Sequence, residues 1–508
     1  TSPSAAMASA EWWQLPAGLA AVGLIAFGLY RALACVASAL RPTRGRRGAV
    51  TAVAAVLTAL LFIPIRGGFT VSTMNLSRAY FSPDQRLNHA AVNPAFSLLY
   101  SATHQHDFGS RYRFMTDEEA EALVASLESE SLCGTAADTV SNHGDGMAVL
   151  HNIMADSALL TQRRPHIYLI ILESFSSHLL PSLGGEPVAL GLDSLARSGI
   201  SFTNIYASSF RTDRALPAIL SGFPAQPSMS LMKYVEKVES LPSIAGQLAD
   251  AGYTPAYYYG GDINFTNMNA YLVHSGFGRI VSDRDFPLSE KSGKWGAPDH
   301  ALFQRVLADA EARPAGAAPE FNVIQTSSSH EPFEVPFKSA FLPDRRLNAF
   351  AYTDSCLTAF VRALEKRSDY DHTLVIIIPD HYGAYPDRPE DALDRHKVPL
   401  VITGGAVGGK RGEVDVIGSQ TDIAATLMAA LGVPAGSFEF SHNLLDPHRR
   451  GYAFFSEPGL AALVTPADTV VFECDAMQTL RLNGSDPAKA MSQAQAYLQT
   501  LYSRIAAM

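Results

Sequence analysis

Two short patterns in this sequence set oxygen and nitrogen donors directly behind apolar runs. Ile167-Tyr168-Leu169-Ile170-Ile171-Leu172 is followed at once by Glu173-Ser174, and Thr373-Leu374-Val375-Ile376-Ile377-Ile378 by Pro379-Asp380-His381-Tyr382-Gly383. Such Val/Ile/Leu runs read as strands buried on both faces, as in a parallel sheet. Reactive groups in these sheets collect just beyond the carboxyl ends of the strands. A carboxylate at one end and an Asp-His pair at another supply the donor set of a divalent cation. Taken singly, Glu173 reads as well as a helix cap or an ion-pair partner; the shared position at strand ends is what points to a metal.

Between the two patterns lies Ser208-Ser209-Phe210-Arg211-Thr212-Asp213-Arg214, leading into Ala215–Leu220, which has helical character. Thr212 is therefore expected at or just before a helix N-terminus. Unpaired backbone N–H groups and the positive end of the helix dipole favour an anion such as phosphate there. The plainer alternative is that Thr212 only caps the helix. Arg211 and Arg214 flank it, and arginine suits planar oxyanions, although Arg214 equally fits a solvated position.

These residues need a scaffold, and the remaining pattern predicts one. Further strands are expected at Phe321–Gln325 and Val398–Ile402, with a helix around Leu192–Ser198, so the fold class is α/β: a mostly parallel sheet with helices on both faces. After about Val433 the runs at 453–455, 460–464 and 469–472 suggest a small antiparallel meander, and 488–508 a closing amphipathic helix. Ahead of the sheet, Thr116 with Glu119 fits a capping box in a connector.

The first 65 residues hold the apolar surplus. One stretch runs from Leu15 to Leu40, broken only by Arg31, and another from Ala49 to Ile65 without a charge. At about 1.5 Å per residue they cover roughly 25–39 Å, which predicts two transmembrane helices at about 15–40 and 48–65. Arg41, Arg44, Arg46 and Arg47 place the intervening loop in the cytoplasm, with Trp12 and Trp13 at the outer interface and everything beyond Arg66 extracytoplasmic. Because the chain begins at Thr1, two is a lower bound. The expected division is 1–66 membrane region, 67–163 juxtamembrane connector, 164–435 catalytic domain and 436–508 C-terminal subdomain.

Composition narrows the classes. With 508 residues the chain has room for two to four units. Net charge is −10, from 49 acidic and 39 basic residues, so a nucleic-acid footprint has no support. Four cysteines make no disulfide scaffold. Cys35 falls in a membrane stretch; Cys133, Cys356 and Cys474 fall on the oxidising side, where one pair of unspecified partners is allowed.

From roughly Arg164 to Gly432 the chain resembles the membrane-anchored phosphoglycerol transferases of the lipoteichoic acid synthase type, within the alkaline phosphatase and sulfatase superfamily. The resemblance rests on Leu172-Glu173-Ser174, Thr212, Gly293-Lys294-Trp295-Gly296 with Asp299, Ser329-His330-Glu331-Pro332-Phe333, a helix start at Tyr352-x-Asp354, and Pro379–Gly383, in that order. It implies an alkaline-phosphatase-like fold and one Mn²⁺ or Mg²⁺ held by Glu173, Thr212, Asp380 and His381, with Zn²⁺ also used in the superfamily. It implies Thr212 as nucleophile and His330 at the transferred phosphate. A threonine hydroxyl is a poor nucleophile until a cation lowers its pKa, which agrees with that arrangement. A satisfied loop histidine is the plainer reading of His330.

The expected activity is transfer of a phospho-alcohol headgroup from a phospholipid donor to an extracytoplasmic glycan or lipid acceptor, through a phospho-threonine. The alternative is hydrolysis of phosphodiesters or phosphomonoesters at the same site. A catalytically silent protein would not need Glu173, Thr212, Asp380 and His381 together. Formylglycine sulfatase chemistry fits worse, since Thr212-Asp213-Arg214 lacks both the Cys or Ser and the proline of that frame. Where the family carries a Trp and an Arg that hold glycerol phosphate, this chain has Thr266 and Met268. Asp262 and Asn264 in the same loop are therefore read as contacts to a different headgroup, including a cationic amine. With His330, Arg214, Trp295 and His396 they complete the candidate substrate contacts.

Overall fold

Register decides where the chemistry sits. Strand β1 (His166–Leu172) lies at the middle of a nine-stranded sheet, parallel to β5 (Glu320–Gln325) on one side and to β6 (Thr373–Pro379) on the other. Leu172 pairs with Pro379, so Glu173 and Asp380 emerge side by side one residue later. Thr326 leaves β5 at the same level, its N–H on the Ile171 carbonyl at 3.0 Å. The structure, a computed structural model, describes residues 47–508 apart from 70, 83, 104–105, 133–158, 292, 315, 342 and 384, together with scattered positions between 20 and 35.

Both faces of the sheet are covered, as the unbroken apolar runs require. Ile167, Leu169 and Ile171 pack into one core layer, and Tyr168, Ile170 and Leu172 into the other. The full order is β4-β3-β5-β1-β6-β7-β2-β8, with β2 at Ile200–Tyr206, β3 at Thr254–Tyr259, β4 at Arg279–Val281, β7 at Lys397–Thr403 and β8 at Gly412–Val414; the short β9 (Gly418–Ser419) also pairs with β2. The expected mostly parallel sheet is present, with one departure: β7 runs antiparallel to both β6 and β2.

A second sheet, β10 (Ala453–Glu457), β11 (Leu460–Val464), β12 (Asp468–Glu473) and β13 (Thr479–Gly484), is an antiparallel meander in chain order. The closing helix Pro487–Ala507 packs on it. The connector is less of a tether than its sequence suggests. Its helix Asp117–Glu130, opened by the expected Thr116/Glu119 capping box, lies against the closing helix, and Phe108, Tyr112 and Leu127 share a core with Phe472, Tyr497 and Tyr502.

The membrane expectation is not supported by the described residues. Most of the first stretch, with the Arg41–Arg46 loop and Trp12 and Trp13, lies outside them. The second forms helix α1, Arg47–Arg66, but no described helix is long and apolar enough to cross a membrane. Val53, Val56, Leu57, Leu60, Leu61, Phe62 and Ile65 along α1 are nevertheless exposed. Cys356 and Cys474 are buried free thiols, and Cys133 lies outside the described residues.

Candidate metal centre

Glu173, Asp380 and His381 converge at the carboxyl edge of the sheet, all three buried, with one donor atom from each lying within 4.8 Å of the others. His381 Nε2 stands 3.4 Å from Asp380 Oδ2 and 3.6 Å from Glu173 Oε1. Its Nδ1 is 2.9 Å from the Tyr382 carbonyl, an acceptor only, so Nδ1 carries the proton and Nε2 is turned towards the carboxylates. Asp380 Oδ1 accepts from the backbone N–H groups of Ser174 and His381 at 2.9 and 2.8 Å.

Two buried carboxylates this close repel each other. Burial first, and Glu173 second, push Asp380 up to about 7. Burial alone would lower His381, but the Asp380 and Glu173 charges outweigh it and raise it. A cluster with surplus negative charge, converging oxygens and one imidazole fits a divalent cation.

Thr212 joins this cluster. The helix α4, Thr212–Ser221, begins at Thr212 itself, with Arg211 in the capping position, so Thr212 is not the cap. Here α2 denotes Asp117–Glu130 and α3 Leu190–Ser198. The Thr212 hydroxyl donates to Asp380 Oδ2 at 2.8 Å. Position and partner both aim it at the Glu173–Asp380–His381 cluster rather than at its own helix.

The other expected contacts divide. His330 stays close: burial holds its imidazole below the ordinary value, with His381 acting in the same direction and Asp380 against it. Its ring lies 4.1 Å from that of Trp295, whose Nε1 donates to the Glu331 carbonyl at 2.7 Å. Arg214 turns away, donating to the Gln226 carbonyl and lying over the Phe210 ring. His396 is fully buried, stacked on Phe455 at 3.8 Å beside Glu457 at 3.5 Å.

Asp262 and Asn264, read from the sequence as headgroup contacts, both hydrogen-bond within the chain. Ser72 donates its hydroxyl to Asp262, Asn75 Nδ2 donates to the Asn264 carbonyl at 2.7 Å, and Asn264 N–H returns to Asp262 at 3.0 Å. The segment after α1 is thereby fastened to the loop beyond β3. Thr266 and Asn267 in this loop are left-handed, with φ of 50° and 64°, an uncommon state for a β-branched residue.

Several supporting residues were not legible as such. Thr326 Oγ1 accepts the Glu173 N–H at 2.9 Å, and Ser174 Oγ donates to Glu173 Oε1 at 2.7 Å. Asp299, fully buried and raised by that burial, accepts Ser327 N–H, Ser328 N–H and the Thr353 hydroxyl, and so holds the loop that carries His330. Tyr352 and Asp354 do not begin a helix, since theirs runs from Arg345 to Glu365. Asp354 instead receives the Gly191 and Leu192 N–H groups at the start of α3.

A largely parallel sheet covered on both faces, with Glu, Thr and Asp-His donors gathered at its carboxyl edge, defines an enzyme of the sulfatase and alkaline phosphatase superfamily. The sulfatase family profile matches residues 165–433, more than half of the chain, and the chain belongs to that family. Within it the chain is lipoteichoic acid synthase-like. It is 24% identical over 353 residues to lipoteichoic acid synthase 1 of Bacillus subtilis, covering 63% of this chain and 54% of that protein. It is 22% identical over 316 residues to the lipoteichoic acid synthase-like YvgJ of the same species, covering 57% and 51%. The chain thus spans about half the length of these relatives. Its fold is similar to a crystal structure of an alkaline phosphatase superfamily protein from Vibrio parahaemolyticus, with a TM-score of 0.64 and 23% identity, covering 78% of this chain and 98% of that one. It is also similar to the lipoteichoic acid synthase LtaP of Listeria monocytogenes, with a TM-score of 0.57 and 17% identity, covering 71% and 98%.

Proposed function

We propose that this protein transfers a phospho-alcohol headgroup, phosphoglycerol-like or phosphoethanolamine-like, from a phospholipid to a glycan or lipid hydroxyl through a covalent phospho-Thr212. The observation that carries the reading is the Thr212 hydroxyl, at the first turn of α4, donating to Asp380 Oδ2 inside the Glu173–Asp380–His381 cluster. Glu173, Asp380, His381 and Thr212 would hold one divalent cation, Mn²⁺ or Mg²⁺, with Zn²⁺ also compatible. When bound, the cation supplies charge to lower the pKa of a coordinated hydroxyl and to polarise a phosphoryl oxygen.

The chain's own residues do the rest. Thr212 Oγ1 forms a bond to phosphorus as the bond to the diacylglycerol oxygen breaks. The hydroxyl proton is released to solvent, and the departing oxygen takes a proton from solvent. His330 holds its Nδ1 against the Glu331 carbonyl at 3.0 Å, which leaves Nε2 to accept the proton of the incoming acceptor hydroxyl. That hydroxyl then displaces Thr212 Oγ1, which recovers its proton. Exposed apolar side chains along α1 favour work at a membrane, and the arginine-rich loop at 41–47 favours a catalytic unit on its extracytoplasmic side.

The test incubates the purified protein with Mn²⁺ and vesicles containing phosphatidylglycerol or phosphatidylethanolamine, then maps the Thr212 peptide by mass spectrometry. A headgroup adduct on Thr212 with release of diacylglycerol is expected. Turnover with no adduct on Thr212, under quench conditions that preserve phosphoesters, rejects the covalent route. Release of free headgroup in the presence of a glycolipid acceptor makes the protein a hydrolase.

A further inference from the structure

The two halves of the candidate centre come from distant parts of the chain: Asp380-His381 follows β6, whereas Thr212 follows β2 and its loop. In the sheet these strands are separated by β7. Beyond the pairing through β7 and the Thr212–Asp380 hydrogen bond, one buried side chain joins the Thr212 loop to the Asp380 backbone.

Gln420 is fully buried between β9 and the helix Asp422–Leu431. Its backbone N–H extends the β2–β9 pairing by donating to the Tyr206 carbonyl at 3.2 Å. Its Nε2 donates to the Pro379 carbonyl at 2.7 Å and to the Asp380 carbonyl at 2.6 Å. Its Oε1 accepts the Ser208 N–H at 2.8 Å. Two carbonyls can only accept and one N–H can only donate, so the amide orientation is forced by its partners. Ser208 is secured from its other sides as well, its Oγ accepting from Ala225 N–H at 2.9 Å and its carbonyl accepting from Ser456 N–H at 2.9 Å.

We infer that Gln420 is a positioning residue that sets the Thr212 loop against the Asp380 backbone, so that the Thr212 hydroxyl and the cation ligands share one site. The inference rests on the function proposed above, but the clamp itself is a property of the fold. Outer hydrogen-bond partners of ligands typically change metal affinity by about 10–100-fold when removed. A misplacement of about 1 Å at a reacting atom costs about 10²-fold in rate.

Gln420→Met fills the same space without either hydrogen-bonding end, and Gln420→Glu turns a carboxylate oxygen towards two carbonyls. Three measurements separate the readings. Hydrogen exchange over 207–212 in metal-free protein reports the clamp alone, and faster exchange there is expected in both variants, with the thermal unfolding midpoint lowered and more so in Gln420→Glu, which buries a charge against two carbonyls. Mn²⁺ titration should show affinity weakened by about 10-fold or more. Turnover of bis(p-nitrophenyl) phosphate should show kcat reduced by about 10²-fold with KM within about threefold. If Gln420→Met exchanges, binds Mn²⁺ and turns over as the wild type does, Gln420 only fills space and the inference is overturned. A wild type that neither binds Mn²⁺ nor turns over, beside variants with faster exchange over 207–212, supports the clamp and rejects the functional reading.

Discussion

Ser174 and Gly383 pack so closely that the two ligand-bearing loops touch through them: a Cβ on residue 383 would stand 2.4 Å from the Ser174 carbonyl oxygen and 2.5 Å from its Cβ. Ser174 is itself left-handed, with φ of 63°, and it holds Glu173 through its hydroxyl and Asp380 through its N–H. The glycine that closes Pro379–Gly383 is thus required by contact with the Glu173 loop. Gly383→Ala should push the loops apart, costing about 1–3 kcal/mol as an overpacked site and weakening Mn²⁺ binding. Calorimetric titration beside thermal unfolding checks both, and unchanged metal affinity would show that the loops separate without disturbing the ligands.

Thr212→Ala removes the hydroxyl that faces Asp380 Oδ2. Turnover should fall on the order of 10³-fold or more, while stability changes by only about 1–3 kcal/mol for one lost buried hydrogen bond. Thr212→Ser restores a hydroxyl and should recover part of the rate. Retention of more than about a tenth of wild-type turnover by Thr212→Ala moves the nucleophile elsewhere.

What the sequence disclosed and what it hid follow from locality. β1 and β6 were legible because strands buried on both faces lose all polar alternation, and the register that follows puts Glu173 beside Asp380. β2, with Ser201, Thr203 and Asn204, and β3, with Pro255 and three tyrosines, carry no such run although they lie in the same sheet. The reversed direction of β7 leaves no local trace. Asp262 is harder still, because a polar loop reads the same whether it meets a substrate or another part of the chain. Its partner Ser72 stands 190 positions away.

That partnership makes a distinct prediction. Asp262→Ala should speed hydrogen exchange across 72–80, where Asn269 also donates to the Ser77 and Tyr80 carbonyls at 3.1 and 2.7 Å. The first effect should be a loosened segment, with KM for the lipid donor changed less than about threefold. Unchanged exchange over 72–80 together with a tenfold rise in KM would return Asp262 to the substrate.

Acid and base should both weaken the joint between the connector helix and the segment 442–452 that follows the helix Asp422–Leu431. Glu128 on α2 meets His442 Nε2 at 2.9 Å and Arg449 at 2.9 Å, and it also accepts from the Tyr452 hydroxyl; His442 Nδ1 faces Asp422 at 3.3 Å. Burial alone would raise Glu128, but His442, Tyr452 and Arg449 overcome it and hold the carboxyl at about 2, below its ordinary 4.5. Burial alone would lower His442, but Asp422 and Glu128 raise it above 6.5. A depressed carboxyl contributes stability above 4.5 and loses it as pH falls towards 2, whereas a raised imidazole contributes below 6.5 and loses it as pH climbs through its folded value. The joint is therefore strongest between pH 4.5 and 6.5. The gap in thermal unfolding midpoint between wild type and Glu128→Gln should be widest in that window and shrink on either side. A gap that stays constant from acid to mild base would mean that Glu128 holds the helix by neutral hydrogen bonding and packing, with no part played by the His442 charge.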